Sequence, residues 1–392
     1  MKLFISRFSV MCRLGMSEEE VIDAFRQERF PELEMTGGYL PGGVKVPLGR
    51  VNVPFTPSGS GPSRNDEMIS QAVSQIADVI SEAKKRFTPE RVGAVIGTSN
   101  LAVSEVEQNI VANSASPTQL CYDARLSRIG DLSGIFRKMT GAGGPVYTVA
   151  TACSSSARAF ISAARLIESG ICDAVVVAGT DTLSRIAVAG FESLGVLSHE
   201  PCLPFHRLRK GMNIGEGTAL CVLSREMLGD RSTMLMGYGA TSDGYHISSP
   251  EPTGTYAAEA MRKALKSAGL KSSDIGYVCL HGTGTSLNDE MEAKAVAEVF
   301  PDVPASSIKH LTGHTLGASG ILSEFICSLV ARGEITLPFH PYDSADVDPV
   351  IPEFCLVTEP DTVAGRPYTV SNAFAFGGNN AVLVTGPVPG MR

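Results

Sequence analysis

Short runs of β-branched and small apolar residues recur along the chain, and between them the apolar positions repeat every three or four residues. V-G-A-V-I-G (92–97), P-V-Y-T-V-A-T (145–151), A-V-V-V-A (174–178), Y-V-C-L (277–280) and A-V-L-V-T (381–385) read as buried strands. Ala157, Phe160, Ile161, Ala164 and Ile167 fall at i, i+3, i+4, i+7 and i+10, so they line one face of a helix that Gly170 ends. Ala258, Met261 and Leu265 repeat that stripe before Gly269. Strands alternating with amphipathic helices predict an α/β fold. A strand, a polar turn and a small-residue helix occur at 145–169 and again from Ala305 through Lys309 and Gly317 to Ala331. That recurrence predicts two related α/β halves, 1–230 and 231–392, without a residue-level repeat. The segments 51–65 and 339–352 are expected to be loops.

Composition narrows the class. The 392 residues are 43% hydrophobic and 19% charged, which suits a compact globular protein too long for one ordinary core. Lys plus Arg number 33 against 41 Asp plus Glu, a net charge of -8, which argues against wholesale binding to nucleic acid or to an anionic membrane. Nine cysteines, an odd number with no C-x-x-C pair, read as reduced thiols and not as disulfides or zinc ligands. Arg7 and Arg13 interrupt the apolar N-terminus, so it is not read as a signal peptide. The uncharged stretches 139–157 and 367–391 carry too much Gly and Pro for a membrane span, and the expected location is cytoplasmic.

Candidate chemistry concentrates in four segments. In T-V-A-T-A-C-S-S-S-A (148–157) a strand ends, the chain turns through small residues and a helix begins, with Cys153 at the turn. The helix dipole and unpaired N–H groups there are expected to favour thiolate, as at a nucleophile elbow. The same residues also fit a small buried cysteine followed by serines that cap a helix. The other eight cysteines lack this setting and are read as core packing. His281 in H-G-T-G-T and His314 in K-H-L-T-G-H-T-L-G-A-S-G stand in Gly/Thr-rich turns that allow close approach to a ligand, and neither has zinc-ligand spacing. His199, His206, His310 and His340 have no such context, and His246 in S-D-G-Y-H is intermediate. S-N-A-F-A-F-G-G-N-N (371–380) lacks the G-K-S/T of a phosphate loop and is expected to be a mobile loop presenting Phe374 and Phe376 to a pocket, or a turn whose aromatics fill the core.

In this order and spacing, Cys153 in T-A-C-S-S-S, His281 in H-G-T-G-T, Lys309 with His314 in K-x-x-x-G-H-x-x-G-A-x-G, and S-N-A-F-A-F-G-G-N-N resemble the elongating, Cys-His-His β-ketoacyl-acyl-carrier-protein synthases of the thiolase superfamily. Matches at 204–211, 215–217 and 242–246 extend the likeness from about Arg91 onward. The resemblance implies a five-layered α-β-α-β-α thiolase-like fold and a dimer, either a homodimer or a heterodimer with a related ketosynthase-like subunit. It implies decarboxylating Claisen condensation of an acyl-enzyme with malonyl-carrier to give 3-oxoacyl-carrier protein, with no cofactor beyond the carrier's phosphopantetheine and no metal. By the same likeness Cys153 takes the acyl group, and the N–H groups of Cys153 and Phe376 hold the oxyanion, with Gly377 and Gly378 in the gating turn. His281 and His314 stabilise the enolate, Lys309 sets the local field, and Thr283 and Thr285 bind pantetheine.

The chain departs from that family at several places. Ser323 stands where a Glu is usual, Glu324 follows it about 100° around the helix, Ala375 replaces a Gly, and His206 stands where an Asp is common. These departures point to specialised polyene or polyketide elongation ahead of housekeeping fatty-acid synthesis. The alternative is a non-catalytic chain-length-factor-type subunit, which the retained Cys153, His281 and His314 disfavour. Candidate cations for an acidic acyl carrier protein are Arg125, Arg128, Arg137, Lys138, Arg207, Arg209 and Lys210.

Overall fold

The computed structural model describes residues 2–53, 63–101, 103–112 and 128–390. The N-terminal part runs β1 (Leu3–Ile5), β2 (Ser9–Met11), α1 (Glu18–Arg26), a hairpin of β3 (Glu34–Thr36) and β4 (Val46–Leu48), α2 (Arg64–Gln75) and α3 (Ala77–Phe87). It continues through β5 (Val92–Gly97), α4 (Val103–Ala112), α5 (Ile129–Thr140), β6 (Val146–Val149), α6 (Ser155–Glu168), β7 (Ala174–Asp181), α7 (Arg185–Ser193) and β8 (Gly217–Ser224). The rest is β9 (Thr233–Ser242), α8 (Thr255–Ala268), β10 (Ile275–Cys279), α9 (Ser286–Val299), β11 (Ala305–Ser306), α10 (Lys309–Thr312), α11 (Ser319–Arg332), β12 (Tyr368–Ala375) and β13 (Asn379–Pro387).

The strands lie in the order β6-β5-β7-β8-β1-β9-β13-β12-β10-β11. Read inward from either end the two runs match: two parallel pairings, then antiparallel ones, with β5 answering to β10 and β7 to β12. Three apolar cores separate the layers. One lies under α2, α3 and α5 on the outer face of the first run, and another under α8 and α9 on the outer face of the second. The central one is built around α6 and α11. The result is α-β-α-β-α.

The middle layer is tight because its contacts are small. A Cβ on Gly97 of β5 would sit 2.4 Å from the backbone N of Ser156, and one on Gly320 of α11 would sit 2.7 Å from that of Ala157. Side chains at either place would push α6 away, and with it the turn that carries Cys153. The segment 371–380 is not a long loop: β12 and β13 run through it and only Phe376, Gly377 and Gly378 turn between them, so ladder hydrogen bonds hold it. Of the loop expected at 51–65, residues 54–62 lie outside the described residues, and Arg64 and Asn65 already belong to α2, which starts with a Ser63/Asp66 capping box. The apolar runs at 217–224 and 233–242, which were not among the expected strands, form β8 and β9. No helix among the described residues is long and apolar enough to cross a membrane.

Candidate active site

The C-terminal ends of the parallel strands of both runs converge on one cavity of about 310 Å³. Cys153, His281 and His314 line it, together with Phe191, Met212 and Phe376. Cys153 follows β6, two residues before the start of α6, and the preceding Ala152 takes a left-handed φ of 49°, which a methyl side chain tolerates better than a larger one. Ser154 does not cap the helix through its hydroxyl, which donates instead to Thr151 O at 2.8 Å. The backbone N–H groups of Cys153 and Phe376, the two expected oxyanion donors, both act to lower the pKa of the Cys153 thiol.

His314 Nε2 lies 3.0 Å from Cys153 Sγ, and the His281 ring stands nearly perpendicular to that of His314, 5.3 Å between centroids. Lys309 is buried between the turns; its Nζ donates to the His281 carbonyl and sits 3.4 Å from His281 Nδ1. An ammonium only donates, so Nδ1 of His281 accepts and its proton resides on Nε2. Burial first, then the Lys309 charge, holds both imidazoles well below 6.5; for His281 the neighbouring His314 adds to this. They are neutral at physiological pH.

The thiol corrects an expectation. Burial pushes Cys153 up to about 12, and Asp181 adds to that, while Lys309 and the N–H groups of Cys153 and Phe376 oppose it. Cys153 is 6% exposed, and loss of hydration outweighs the favourable donors that the strand-turn-helix setting supplies. The resting group is a thiol beside an imidazole, not a free thiolate.

Two carboxylates on α9, absent from the sequence reading, hold the H-G-T-G-T turn. Glu292 accepts from the N–H groups of His281 and Gly282, each at 2.7 Å, and from Asn372. Asp289 accepts from Thr283, Gly284 and Phe205 N–H. Their spacing of three puts both on one helix face beneath the turn, a signal present in S-L-N-D-E-M-E but not used. Burial raises them to about 7 and about 6 respectively. Thr283 and Thr285 line the cavity with their hydroxyls 2.8 Å apart. Phe374 packs edge-on to His281, and Phe376 meets Phe191 across the cavity at 5.8 Å. Gly377 N–H donates to Ile247 O, while Gly378 O accepts from Asp243 N–H.

Other candidates lie outside the cluster. Exposed His246 accepts from Ser248 N–H and borders an adjoining recess, not the cavity. Ser323 is buried on α11, and Glu324 points to β12 and β13, accepting from Ser371 and Thr385. Glu292 is the carboxylate that acts on Lys309, whereas both oxygens of Glu324 are engaged by Ser371 and Thr385. Cys355 is exposed, against the expected core position, and Cys121 lies outside the described residues. Among the suggested surface cations Arg209 is 4% exposed and paired with Asp289, Glu290 and Asp348, so it is a buried anchor. Arg207 pairs with Asp346 and Lys210 with Glu200, whereas Arg125 lies outside the described residues. No group of three or more His, Cys, Asp or Glu side chains among the described residues could hold a metal.

Glu324 yields a stability prediction. Burial raises its carboxyl from 4.5 to about 7, so the folded state binds a proton that the unfolded state has released between those values. Stability falls as pH rises through that window, by roughly 3 kcal/mol from this group. Glu324→Gln is expected to melt higher than the parent at pH 8 and alike at pH 4, in thermal scans at both. A difference independent of pH would contradict it.

A five-layered molecule whose central helix presents a thiol to two neutral imidazoles is thiolase-like. The sequence profile of the β-ketoacyl synthase N-terminal domain matches residues 61–227 and that of the C-terminal domain residues 233–342, and the chain belongs to the β-ketoacyl synthase family. It is 35% identical over 255 residues to nodulation protein E of Rhizobium meliloti. To 3-oxoacyl-[acyl-carrier-protein] synthase 2 of Staphylococcus aureus it is 34% identical over 263 residues. Each match covers 62% of this chain and spans less than two thirds of the relative, 62% and 64% respectively. A chain in the structure of a ketosynthase in complex with its chain length factor from Xenorhabdus doucetiae superposes with a TM-score of 0.91 at 36% identity, over 98% of both chains.

Proposed function

We propose that this protein is an elongating β-ketoacyl-acyl-carrier-protein synthase, an acyltransferase that condenses an acyl-enzyme with a malonyl-carrier. The observation that carries the reading is the 3.0 Å contact between His314 Nε2 and the Cys153 sulfur, in a cavity that His281 also lines. In the first stage Sγ attacks the carrier thioester, the oxyanion sits on the N–H groups of Cys153 and Phe376, and the thiol proton leaves through His314 to the departing pantetheine sulfur. A resting imidazolium is disfavoured beside Lys309, so the proton passes through His314 without staying there. In the second stage the malonyl carboxylate departs as CO2, and the enolate oxygen accepts from Nε2–H of His281 and of His314, whose neutral ring has by then exchanged its single proton from Nδ1 to Nε2 through solvent. Its carbon attacks the Cys153 thioester, and the tetrahedral intermediate expels the cysteine sulfur, which takes one proton from solvent. The turnover consumes one proton and needs no further reagent.

Thr283 and Thr285 fit the amides of a pantetheine arm, and Phe376 with Gly377 and Gly378 acts as the gate. The two strand runs support related halves at 1–230 and 231–392. A dimer partner, either a second copy or a related ketosynthase-like subunit, fits the edge of β6, whose four residues are all half-exposed. The neighbour found with a chain length factor favours the heterodimer, and with the departures at Ser323 and Ala375 it favours polyketide or polyene elongation. An odd number of cysteines without a C-x-x-C pair supports a cytoplasmic location. The test is incubation with an acyl-carrier thioester followed by malonyl-carrier. One added acyl mass and then CO2 release and 3-oxoacyl-carrier are expected; absence of both in the isolated chain and in its heterodimer would leave the non-catalytic subunit reading.

A further inference from the structure

The Asp181 carboxylate, at the C-terminal end of β7, is fully buried and collects donors from two separate parts of the chain. From the segment after β5 it accepts from Thr98 Oγ1 at 2.7 Å, Ser99 Oγ at 2.7 Å, Ser99 N–H and Asn100 N–H at 2.7 Å. From the turn that carries His314 it accepts from Gly317 N–H at 2.6 Å. Every one of these partners donates, so the site demands an acceptor-only group, and an ionised carboxylate is the side chain that supplies two such oxygens. The approach on the far side is close: a Cβ on Gly317 would sit 2.6 Å from Asp181 Oδ2 and 2.8 Å from Ser99 N.

The turn is a strained one. Leu316, next to Gly317, has a φ of 49°, in the left-handed region that a branched side chain avoids, so something outside the turn must hold it. His314 itself is tied at its backbone to Asn213 and Gly215, which fixes where the residue starts, while the bond to Gly317 fixes where the turn goes next. The imidazole between these anchors meets Cys153 Sγ at 3.0 Å.

We propose that Asp181 is a positioning residue for His314: it ties the turn from residue 314 to 317 to the frame of the Cys153 half and so sets the gap between imidazole and sulfur. This rests on the condensation reading above, and the test separates the two. Asp181→Asn turns one oxygen into a donor, and either orientation of the amide sets an N–H against a backbone N–H. Gly317→Ala moves the turn off an intact carboxylate, and it decides the matter if Asp181→Asn does not fold. CO2 release from malonyl-pantetheine is measured for the wild type, both variants, His314→Ala, and each variant combined with His314→Ala. The expected result is a fall in kcat of roughly tenfold to a hundredfold for each single variant, with KM for malonyl-pantetheine little changed. In the His314→Ala background neither change costs anything more, because the residue acts only through that imidazole. An equal loss with and without His314, or a loss confined to KM, overturns the positioning role while leaving the condensation reading intact. No CO2 from the wild type overturns the condensation reading itself.

Discussion

Cys153→Ala is expected to fold normally and take up no acyl group. The change removes one sulfur atom from a side chain that faces a cavity, so its cost to packing is far below that of a core truncation. Its effect on turnover is of another order, because among the described thiols Cys153 is the one that lines the cavity with an imidazole in contact. Cys12, Cys172, Cys202, Cys221, Cys279 and Cys327 are buried away from the cavity, and Cys355, though exposed, stands outside it. Condensation should fall by at least about 1,000-fold, the scale of losing a covalent nucleophile. Intact-mass spectrometry after exposure to an acyl-carrier thioester checks this. Cys355→Ser run in parallel shows whether any residual label sits on the exposed thiol, and equal labelling of Cys153→Ala and wild type would reject Cys153.

The second large effect divides the two stages. His314→Ala is expected to acquire the acyl group to the same final extent, more slowly, yet to release CO2 from malonyl-carrier at a residual rate that is far below that of the wild type and still measurable. The enolate has two donors, His281 and His314, and losing one donor aimed at a developing oxyanion costs about 100-fold to 1,000-fold. Both imidazoles are held well below 6.5, so CO2 release should stay level as pH falls through that value and decline only below it. Lys309→Met carries the sign check. Removing a buried positive charge raises both imidazole pKa values, so the acid decline should move to higher pH. A decline centred on 6.5 in the wild type, or no movement in Lys309→Met, would remove Lys309 from that role.

Much of the site was legible because its residues are local to their turns. Cys153 precedes a small-residue helix, His281 follows a strand into H-G-T-G-T, and the two glycine-flanked motifs around His314 and Phe376 carry short spacings that survive any tertiary context. Glu292 and Asp289 were equally local, yet they look like ordinary helix acids until the turn they cap is seen to be buried. Asp181 was invisible for a different reason: its partners come from Thr98, Ser99, Asn100 and Gly317, on either side of it in sequence and far away. The 371–380 segment misled because Gly and Asn suggest a loop, whereas pairing of 371–375 with 379–383 of β13, and of Asn379 and Asn380 with Ser242 and Thr241 of β9, makes most of it sheet.

By itself the sequence determined the alternation of strands and helices and marked Cys153, His281 and His314 as candidates, while the five layers and the part of Lys309 came from the resemblance to a known family. The alternation and the motifs depend on periodicity and short-range spacing, which are properties of the chain alone. Tertiary structure decided the charge state of Cys153, the release of Glu324 and His246 from the site, and the conversion of Arg209 from surface cation to anchor. Each of those turns on how much water a group keeps and which distant group replaces it, and hydration is set only when the layers close.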